Sequence, residues 1–394
     1  MLTMHTFSSK IYLIVCIIIT IFPQILFIAT ESTRKDDEER NIRQIKLGLK
    51  KLIDFKGFGY SPFRGLGPLG GELASESLVR EDLTILKQLN VTTVRTYGVG
   101  LNQVIIPKIA HEFGISCATG VWIGTDDTAN INEIEEGLSV ANISSMLIIG
   151  NEVLFKGDLA DTELIDYIKY AKNRTSIPVT TVEPWYIWLD HPNLANVSDK
   201  LLIHIHPFWE SPVFIDEPLG PKYLSNYTIS IFNQVQEAFP NKEIIIAETG
   251  WPSAGRRDCN EETQRNYFEA LIPLLHEDNI KCYTFEAFDE IWKHELWQGN
   301  QSNDVGPHWG VFNLDRTYKL SIKVFVEWFG GEYKTTTVLT NTTSQIYQDN
   351  TNTFNTQLKS STISIVNQSN GFEIFLVISV MLLILYIEKR RIKD

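Results

Sequence analysis

The sequence predicts one α/β domain, a (β/α)8 or TIM barrel, between residues 51 and 331 of the 394-residue chain. Short apolar runs typical of buried strands alternate there with stretches of helical period. Eight such repeats over about 280 residues are what a closed barrel needs. A doubly wound sheet also alternates, but it normally has a glycine-rich phosphate loop after its first strand. The glycines at 65–71 lack that spacing, so they are assigned to the first loop of a barrel.

The strand-like runs are short and continuous, as expected of parallel strands covered on both faces. They occupy residues 52–60, 91–97, 115–123, 146–151, 178–182, 201–206, 243–247 and 281–285. The helical stretches repeat apolar residues three and four positions apart. They occupy residues 76–89, 103–113, 132–141, 162–172, 222–238, 261–276 and 321–329, with a weaker candidate at 185–197.

Composition limits the kinds of partner. The chain is 43% hydrophobic, enough for a large core, and its net charge is −13. A nucleic-acid partner would require a basic face, so none is expected, and the charge is compatible with a neutral substrate. The four cysteines give no disulfide framework. We expect no bond between Cys259 and Cys282, which belong to opposite ends of the barrel.

The two ends of the chain differ in composition from the middle. Residues 1–30 contain an uncharged apolar run, typical of a signal peptide or an uncleaved signal anchor. Residues 31–50 form a charged segment that is expected to be mobile. Residues 332–371 are rich in Thr, Asn, Ser and Gln, which indicates a disordered stalk with potential N-glycosylation sites.

A second apolar run at residues 372–388 precedes a basic tail at 389–394. This order is typical of a transmembrane helix whose basic end lies in the cytoplasm. A lipid-anchor signal is the alternative interpretation, although such signals normally end in their apolar tail. Both interpretations place the barrel outside the cell, attached to the cell membrane.

Two glutamates stand at the ends of apolar strand runs. Glu152 ends the run 146–152, and Glu248 ends the run 244–248. The active face of a (β/α)8 barrel lies at the carboxyl ends of its strands, so we expect both carboxylates to face one cleft. Two carboxylates across a cleft are the arrangement that cleavage of a glycosidic bond requires.

The same rule selects the other residues of this face, a set of carboxylates, aromatic rings and one histidine. They are Tyr60, Tyr97, Trp122, Asn151, Glu152, Glu183, His206, Trp209, Glu248 and Glu286. Carboxylates supply acid, base and nucleophile, and aromatic faces stack on sugar rings. The set contains no Cys-His metal cluster, no Ser-His-Asp order and no phosphate cradle, so no metal and no cofactor are expected.

Seven segments around these residues resemble glycoside hydrolase family 17, the β-1,3-glucanases, most closely its microbial branch. They are GFGYSPFR (57–64), VRTYG (94–98), IIGNEVL (148–154), HIHPFWE (204–210), AETGWPSAG (247–255), FEAFDEIWK (285–293) and HWGVF (308–312). The resemblance covers essentially the whole barrel. GNE followed by AETGWPS is specific, whereas either motif alone is weak. The resemblance implies catalytic groups after the fourth and seventh strands, where the strand count independently places the two glutamates.

The resemblance implies a retaining mechanism in which Glu152 is the general acid/base and Glu248 the nucleophile. Apolar surroundings and a nearby negative charge should raise the pKa of Glu152, whereas Glu248 must stay ionised. The two carboxyl groups should lie about 5 to 5.5 Å apart. The expected substrate-binding residues are Tyr97, Asn151, His206, Trp209, Trp251, Glu286, Glu290, Lys293 and Trp309.

Several of these residues have a more specific expected role or a structural alternative. Asn151 should bond the sugar 2-hydroxyl, and the three tryptophans should be sugar platforms. Tyr97 and His206 should orient Glu248 or contact the sugar, although a lone histidine is as often a satisfied core residue.

Other residues of the face have equally plausible structural interpretations. Glu183 and Glu286 are either substrate contacts or buried partners of an arginine such as Arg95. Asp126 and Asp127 are expected to cap the following helix, and Trp185 and Trp188 to pack a helix onto the barrel.

The sequence therefore predicts a membrane-tethered extracellular enzyme that hydrolyses β-1,3-glucan of the cell wall with retention of configuration, and that acts as a monomer. Two alternatives stay open. A glucanosyltransferase would resolve the same intermediate with a sugar hydroxyl, and a non-catalytic wall-glucan-binding protein would have lost one carboxylate, although both are present. Endo and exo action also stay open, because they depend on which loops close the cleft.

Overall fold

A computed structural model describes residues 55–210, 220–297 and 304–332. Eight parallel strands form a closed barrel in chain order, with β8 paired to β1. The strands are β1 (Gly57–Gly59), β2 (Thr93–Arg95), β3 (Ser116–Val121), β4 (Met146–Asn151), β5 (Val179–Pro184), β6 (Leu201–His204), β7 (Ile244–Thr249) and β8 (Cys282–Thr284). The predicted (β/α)8 fold is confirmed.

Helices connect the strands and cover the outside of the barrel. They are α1 (Glu76–Gln88), α2 (Ile105–Glu112), α3 (Asp127–Ser139), α4 (Val153–Lys156), α5 (Asp161–Lys172), α6 (Trp185–Asp190), α7 (Pro192–Val197), α8 (Pro207–Glu210), α9 (Gly220–Ala238), α10 (Glu261–Glu277) and α11 (Ile322–Phe329). Three 3₁₀ helices lie at Ala141–Ile143, Ile291–Trp297 and Gly306–His308.

Two helices differ from the sequence-based expectation. The weak candidate at 185–197 is two short helices, because Pro192 starts a new helix at a position where its missing N–H is not needed. Helix α3 begins five residues earlier than its apolar period, at Asp127 rather than 132. The Asp126 carboxylate accepts a hydrogen bond from the Ala129 N–H at 2.9 Å, so its predicted role as a helix cap is confirmed.

Two apolar layers hold the barrel together. The interior layer consists of Ala118, Met146, Ile148, Val182, Leu202, Ile245, Ala247 and Tyr283. A larger layer lies between strands and helices, and Trp188 belongs to it. The Trp188 indole is fully buried and donates to the Leu202 carbonyl oxygen at 2.9 Å. Its predicted packing role is therefore confirmed.

The upper part of the barrel interior is polar. Alternate residues of a strand face the same side, and Leu202 of β6 belongs to the interior layer. His204, two positions later, therefore faces inward above it. On β2 the Thr93 hydroxyl contacts the Tyr283 hydroxyl at 3.1 Å inside the barrel, which places Arg95 inward in the same way. On β2 and β6, therefore, a charged or titratable side chain lies one layer above Thr93 and Leu202.

The described cysteines form no disulfide. Cys117, Cys259 and Cys282 are free and buried. The expectation that Cys259 and Cys282 do not pair is confirmed.

Residues 1–54 and 333–394 are outside the described residues. The predicted signal segment, charged segment, stalk, C-terminal membrane helix and basic tail fall almost wholly on them. Within the described ranges, no helix combines the length and the apolar character that a membrane span requires.

Candidate active site

Glu152 and Glu248 lie at the carboxyl ends of β4 and β7, as the sequence predicts. Glu248 belongs to β7 and is aligned with His204 on the neighbouring strand β6. Glu152 directly follows β4 and has a left-handed backbone, with φ 58° and ψ 37°. A residue with a Cβ rarely adopts this conformation, which costs about 1–2 kcal/mol. The abrupt turn brings the Glu152 side chain to His204.

One histidine ring contacts both carboxylates. His204 Nδ1 lies 2.7 Å from Glu152 Oε1, which is a hydrogen bond. On the other side of the ring, Nε2 lies 3.3 Å from Glu248 Oε1, but without the alignment of a hydrogen bond. The ring is 1% exposed. The two glutamates therefore meet at the two ends of one buried imidazole.

Glu248 is surrounded by cationic partners. Its Oε1 is bound by the Arg95 guanidinium, which also binds the Asn151 side-chain oxygen. Its Oε2 lies 3.1 Å from His206 Nε2. Burial alone would raise the pKa of Glu248, but the charges of His204 and Arg95 and the contact with His206 outweigh it and hold the pKa far below its usual range. Glu248 is therefore ionised, as a nucleophile must be.

The expectation for Glu152 is wrong in direction. Burial does act to raise its pKa, and Glu248 adds to that, but the hydrogen bond and charge of His204 prevail, so the pKa of Glu152 is lowered. The sequence-based expectation took account of apolar surroundings and of the charge of Glu248. It did not include His204, which lies between the two carboxylates.

His206 contacts the Glu248 carboxylate, so it is not a core histidine remote from the site. Its ring packs edge-to-face against Phe285 and Trp309. Burial favours the neutral ring, but the hydrogen bond to Glu248 and the surrounding carboxylate charges overcome it and raise the pKa of His206. We call Arg95, Glu152, His204, His206 and Glu248 the catalytic cluster.

The catalytic cluster contains a possible set of metal-binding atoms. Ligand atoms of His204, His206 and Glu248 lie within 4.8 Å of one another. The Arg95 guanidinium, however, already occupies an oxygen of that carboxylate. A cation bound there would lie beside a buried positive charge, which is unfavourable. We therefore assign these three residues to hydrogen bonding.

Glu286, Glu290 and Lys293 form a second buried set, the β8 cluster. The Lys293 ammonium lies 2.6 Å from Glu286 Oε2 and 2.6 Å from Glu290 Oε2. Oε1 of each carboxylate has no hydrogen-bond partner within the described part of the chain. Burial raises the pKa of Glu286 well above its ordinary value; Lys293 opposes this shift, and Glu290 adds to it. The sequence predicts all three as substrate-binding residues, and that role stays a prediction.

A family model described as the BtgE/BtgC glycoside hydrolase domain matches residues 57–310, which contain the whole barrel and both clusters. The chain belongs to this family. The family membership agrees with the resemblance to family 17 that the sequence motifs indicate.

Curated fungal proteins are similar along most of the chain. The glucan endo-1,3-β-glucosidase btgC of Emericella nidulans is 27% identical over 332 residues, which are 74% of this chain and 48% of that protein. The probable β-glucosidase btgE of Aspergillus fumigatus is 26% identical over 270 residues, 65% of this chain and 45% of that protein. The chain thus spans about half the length of the curated relatives it matches.

Two solved structures share the fold. The glycoside hydrolase family 17 β-1,3-glucanosyltransferase from Rhizomucor miehei is 25% identical, has a TM-score of 0.57, and covers 68% of this chain and 97% of its own. An endo-laminarinase from Formosa Hel1_33_131 is 21% identical, with a TM-score of 0.60. The match covers 69% of this chain and 86% of the laminarinase chain, and it shows the shared fold. The predicted resemblance to family 17 is confirmed.

In this family member the three predicted tryptophan platforms differ in exposure. Trp209 is 47% exposed and offers a face to a sugar. Trp251 is fully buried against Phe208 and Tyr267, and Trp309 is 3% exposed. The prediction that these two rings stack on sugars is wrong, because other aromatic rings cover them. They support the wall behind the site.

Packing fixes the segment that follows Glu248. At Gly250 the chain after β7 passes very close to the chain after β8. A Cβ at this position would lie 2.0 Å from the Phe285 carbonyl oxygen, so only glycine fits. Trp251 then turns into the core beside Tyr267, with 5.7 Å between ring centroids. The motif AETGWPS therefore combines one catalytic position, Glu248, with two packing positions, Gly250 and Trp251, of which sequence reasoning assigned Trp251 to binding.

Tyr97 and Asn151 flank Arg95. The Arg95 guanidinium lies 4.1 Å from the centre of the Tyr97 ring, and the Tyr97 hydroxyl makes no hydrogen bond to any described residue. Tyr97 therefore does not orient Glu248 by a hydrogen bond, and its alternative role, contact with a sugar, stays a prediction. Because Arg95 engages the Asn151 oxygen, the Asn151 amide nitrogen is the group suited to a sugar hydroxyl.

Glu183 does not pair with an arginine. Its carboxylate accepts the backbone N–H groups of Leu154 at 2.8 Å and Phe155 at 3.2 Å, directly after Glu152. Burial raises the pKa of Glu183 to about 7. Glu286 likewise contacts Lys293 rather than Arg95. The arginine partner suggested for these two carboxylates belongs to Glu248 instead.

The central functional residue that the sequence analysis missed is His204. Only the last residue of each predicted strand was selected. The sixth strand was predicted to end at His206, two positions after His204. A signal was present, because residues 202, 204 and 206 share one face of an extended strand. By the same two-residue period, Arg95 of β2 and Tyr97 just after it lie on one face of the extended chain.

Proposed function

We propose that this family member hydrolyses β-1,3-glucan with retention of configuration, with Glu248 as nucleophile and Glu152 as general acid/base. The observation that carries the proposal is the unequal environment of the two carboxylates. Arg95 binds Glu248 but not Glu152, and one imidazole contacts both. Two carboxylates of unlike environment are what the two roles demand.

In the first half-reaction a Glu248 oxygen attacks the anomeric carbon and the bond to the leaving oxygen breaks. Glu152 gives a proton to that oxygen, so the leaving sugar departs as an alcohol. Arg95 and His206 hold Glu248 ionised and oriented before the attack. The product of this step is a glycosyl ester on Glu248.

In the second half-reaction Glu152, now a carboxylate, takes a proton from water. The water oxygen attacks the anomeric carbon, and the ester bond to Glu248 breaks. Both carboxyl groups return to their starting state, so no proton is gained or lost by the enzyme. The Glu152 side chain is 24% exposed, which gives it access to the cleft where water arrives. Two inversions retain the configuration.

Side chains around the two carboxylates support a sugar polymer as the substrate. The Asn151 amide offers a hydrogen-bonding group and the exposed Trp209 face a stacking group. Such a mixture is typical of carbohydrate sites. The β-1,3 linkage is supported by the names of the curated relatives.

Incubation of the purified full-length chain with laminarin tests this function. Shorter β-1,3-linked products are expected, and proton NMR of the first product should show the β anomer. An α anomer would contradict the double displacement, and intact laminarin would contradict the activity. Glu152→Gln should lose turnover of laminarin but should still release a burst of phenol, about one per enzyme, from a glycoside with a strongly acidic phenol as leaving group. The first half-reaction then needs no proton, whereas the second still needs Glu152 as its base.

A second candidate is transfer of the glycosyl group to another glucan chain. Exposed aromatic rings support it: Trp122 after β3 is 48% exposed, and Phe155 in α4, next to Glu152, is 52% exposed. An acceptor sugar stacked there would exclude water from the glycosyl ester. Products longer than the starting oligosaccharide would establish transfer. Trp122→Ala should then reduce the long products more than it reduces cleavage.

The proposed location is the outer face of the cell membrane, with the barrel directed at the cell wall and acting as a monomer. Support comes from the two terminal apolar runs and from the basic residues after the second one. Digestion of intact cells with an external protease should remove the barrel and leave a short C-terminal fragment in the membrane. A fully protected chain would contradict this location.

A further inference from the structure

We propose that Glu183 is a positioning residue for Glu152, in the acid/base role proposed above: it binds the turn after β4 and leaves the Glu152 carboxylate free for the cleft. Glu183 is fully buried and does not line the cleft itself. Val182 before it belongs to the interior layer, and Ile203, aligned with it on β6, belongs to the layer between strands and helices. Its side chain therefore faces outward, away from a bound sugar.

The turn after β4 lacks hydrogen-bond partners of its own. It runs over Val153–Lys156, and the first N–H groups of such a helical turn have no carbonyl oxygen of the same turn to bind. The N–H groups of Leu154 and Phe155 instead donate to the Glu183 carboxylate, at 2.8 Å to Oε1 and 3.2 Å to Oε2. One carboxylate from the neighbouring strand thus caps the turn with both of its oxygens.

The backbone of Glu152 also depends on β5. Its left-handed conformation is strained, and such a conformation persists only where the surrounding structure holds it. The Glu152 N–H donates to the Val182 carbonyl oxygen at 2.9 Å, and Glu183 binds the N–H groups two and three positions further on. Three hydrogen bonds to two adjacent residues of β5 therefore fix the direction in which the Glu152 side chain leaves the turn.

Glu183 also removes a competing use of the Glu152 carboxylate. The residue before a helical turn normally caps it, because its side-chain oxygen accepts the N–H group two or three positions later. Glu152 occupies that position, but its side chain makes no capping bond. Both N–H groups are already bound by Glu183. The Glu152 carboxylate lies instead 2.7 Å from His204 Nδ1 and is 24% exposed.

Loss of Glu183 should therefore redirect Glu152. The N–H groups of Leu154 and Phe155 would lose their acceptor, and Glu152 stands at the position whose side chain replaces it. Its carboxylate would then turn away from His204 and from the leaving oxygen. A misplacement of about 1 Å can cost about 10²-fold in rate. Sugar binding should be spared, because Glu183 does not face the cleft.

Kinetics of Glu183→Ala in the full-length chain test the proposal. With laminarin, kcat should fall about 10²-fold, and KM should not rise. With a glycoside of a strongly acidic phenol, the first release of phenol, about one per enzyme, should keep its wild-type rate, because this step needs no acid. A general structural defect predicts losses in both reactions. A slower or smaller first release of phenol would overturn the proposal.

The double variant Glu152→Gln/Glu183→Ala decides whether Glu183 acts through Glu152. If it does, the second substitution has no acid/base left to displace. Steady-state release of phenol should then be as fast in the double variant as in Glu152→Gln alone. Losses that multiply would reveal an independent role of Glu183 and would overturn the proposal.

Glu163→Ala is the matched control. The Glu163 carboxylate also accepts a backbone N–H at a helix start, that of Ala160 at 2.8 Å, but it lies on the exposed surface away from Glu152. This variant should keep wild-type kinetics. Glu183→Gln keeps one side-chain oxygen and so one of the two hydrogen bonds, which maintains the test if Glu183→Ala does not fold. It should show the same pattern with a smaller loss of kcat, and a slower first release of phenol would contradict the proposal equally.

A crystal structure of Glu183→Ala, or of Glu183→Gln if only that variant folds, tests the positioning without any activity. The Glu152 carboxylate should leave His204 and accept an N–H group of Leu154 or Phe155. A Glu152 carboxylate that still contacts His204 would overturn the proposal. If the wild type does not cleave laminarin, the proposed function fails, and this structure still decides whether Glu183 holds Glu152 in place.

Discussion

The catalytic cluster and the β8 cluster bury the same number of carboxylates in the same barrel but balance their charges differently. In the catalytic cluster, Glu152 and Glu248 face one arginine and two histidines. In the β8 cluster, two carboxylates face one lysine. The pKa of Glu248 is accordingly lowered and that of Glu286 raised. A surplus of cationic partners keeps a buried carboxylate ionised, and a deficit keeps one carboxyl group protonated.

The difference in charge balance gives the carboxylates of the two clusters different chemical properties. Ionised Glu248 is ready to attack carbon, and its position is fixed from both oxygens. A protonated carboxyl group in the β8 cluster can donate a hydrogen bond as well as accept one. Such a group suits a sugar hydroxyl, which also does both. Contact of the β8 cluster with a sugar stays a prediction, since Glu286 and Glu290 are only 1% and 2% exposed.

The strongest test of this difference is Glu248→Gln. Turnover of laminarin should fall by about 10⁴-fold or more, because the residue acts as one unit with the other catalytic carboxylate. The matched control is Glu243→Gln at the other end of β7, whose surface contacts to Lys200 and Lys281 contribute little. Normal turnover in Glu248→Gln would remove this carboxylate from the nucleophile role.

Arg95→Ala should be the most destabilising change in the catalytic cluster. It leaves Glu248 buried beside the two histidines without its arginine, and breaking a buried pair from one side costs about 3–5 kcal/mol. The control is Arg80→Ala, since the pairs of Arg80 with Glu76 and Glu112 are exposed and should cost less than about 1 kcal/mol. Equal losses in chemical denaturation would show that burial does not govern these pairs.

The β8 cluster should respond non-additively. Glu286→Gln leaves Lys293 paired with Glu290, and Glu290→Gln lets Glu286 ionise and pair with Lys293, so each change should cost less than about 1 kcal/mol of unfolding free energy. The double variant leaves the buried ammonium without a carboxylate and should cost about 3 kcal/mol or more. Additive losses, measured by denaturant titration, would mean that both carboxylates are ionised in the native protein.

The smallest expected effect is the pH dependence of stability. The folded pKa of His206 is raised, so its contribution is present below the ordinary histidine value of about 6.5 and is lost as the pH rises through the folded value. The folded pKa of Glu248 is depressed, so its contribution is lost only as the pH falls below about 4.3.

Thermal melts across this range check the assignment. His206→Gln should flatten the alkaline decline in melting temperature and leave the acid decline in place. A variant that keeps the full alkaline decline would assign it to a different group.

The sequence predicts the barrel well because each strand is an apolar run ended by a turn. Glu152 and Glu248 are recognisable for the same reason, since a charge that ends such a run must lie at the strand end. These predictions need only local pattern and chain order.

Contacts between strands are what the sequence alone did not give. The bond of Arg95 to Glu248 and the shared ring of His204 depend on which strands face each other across the barrel and on the depth of each residue. Trp251 and Trp309 resemble sugar platforms by residue type, but their exposure depends on neighbours such as Phe208. Residue type predicts a role only after burial is known.

The carboxylate of Glu183 has a consequence for redesign of the cleft. It reaches from β5 to the N–H groups of Leu154 and Phe155, and the Glu152 N–H donates to Val182 of the same strand at 2.9 Å. The segment that begins at Glu152 is therefore anchored by the neighbouring strand. Loops beyond Gly157 can therefore be exchanged between relatives to alter chain-length preference without displacing the acid. A replacement of β5 that removed Glu183 would displace Glu152, although neither Glu152 nor Glu248 lies on β5.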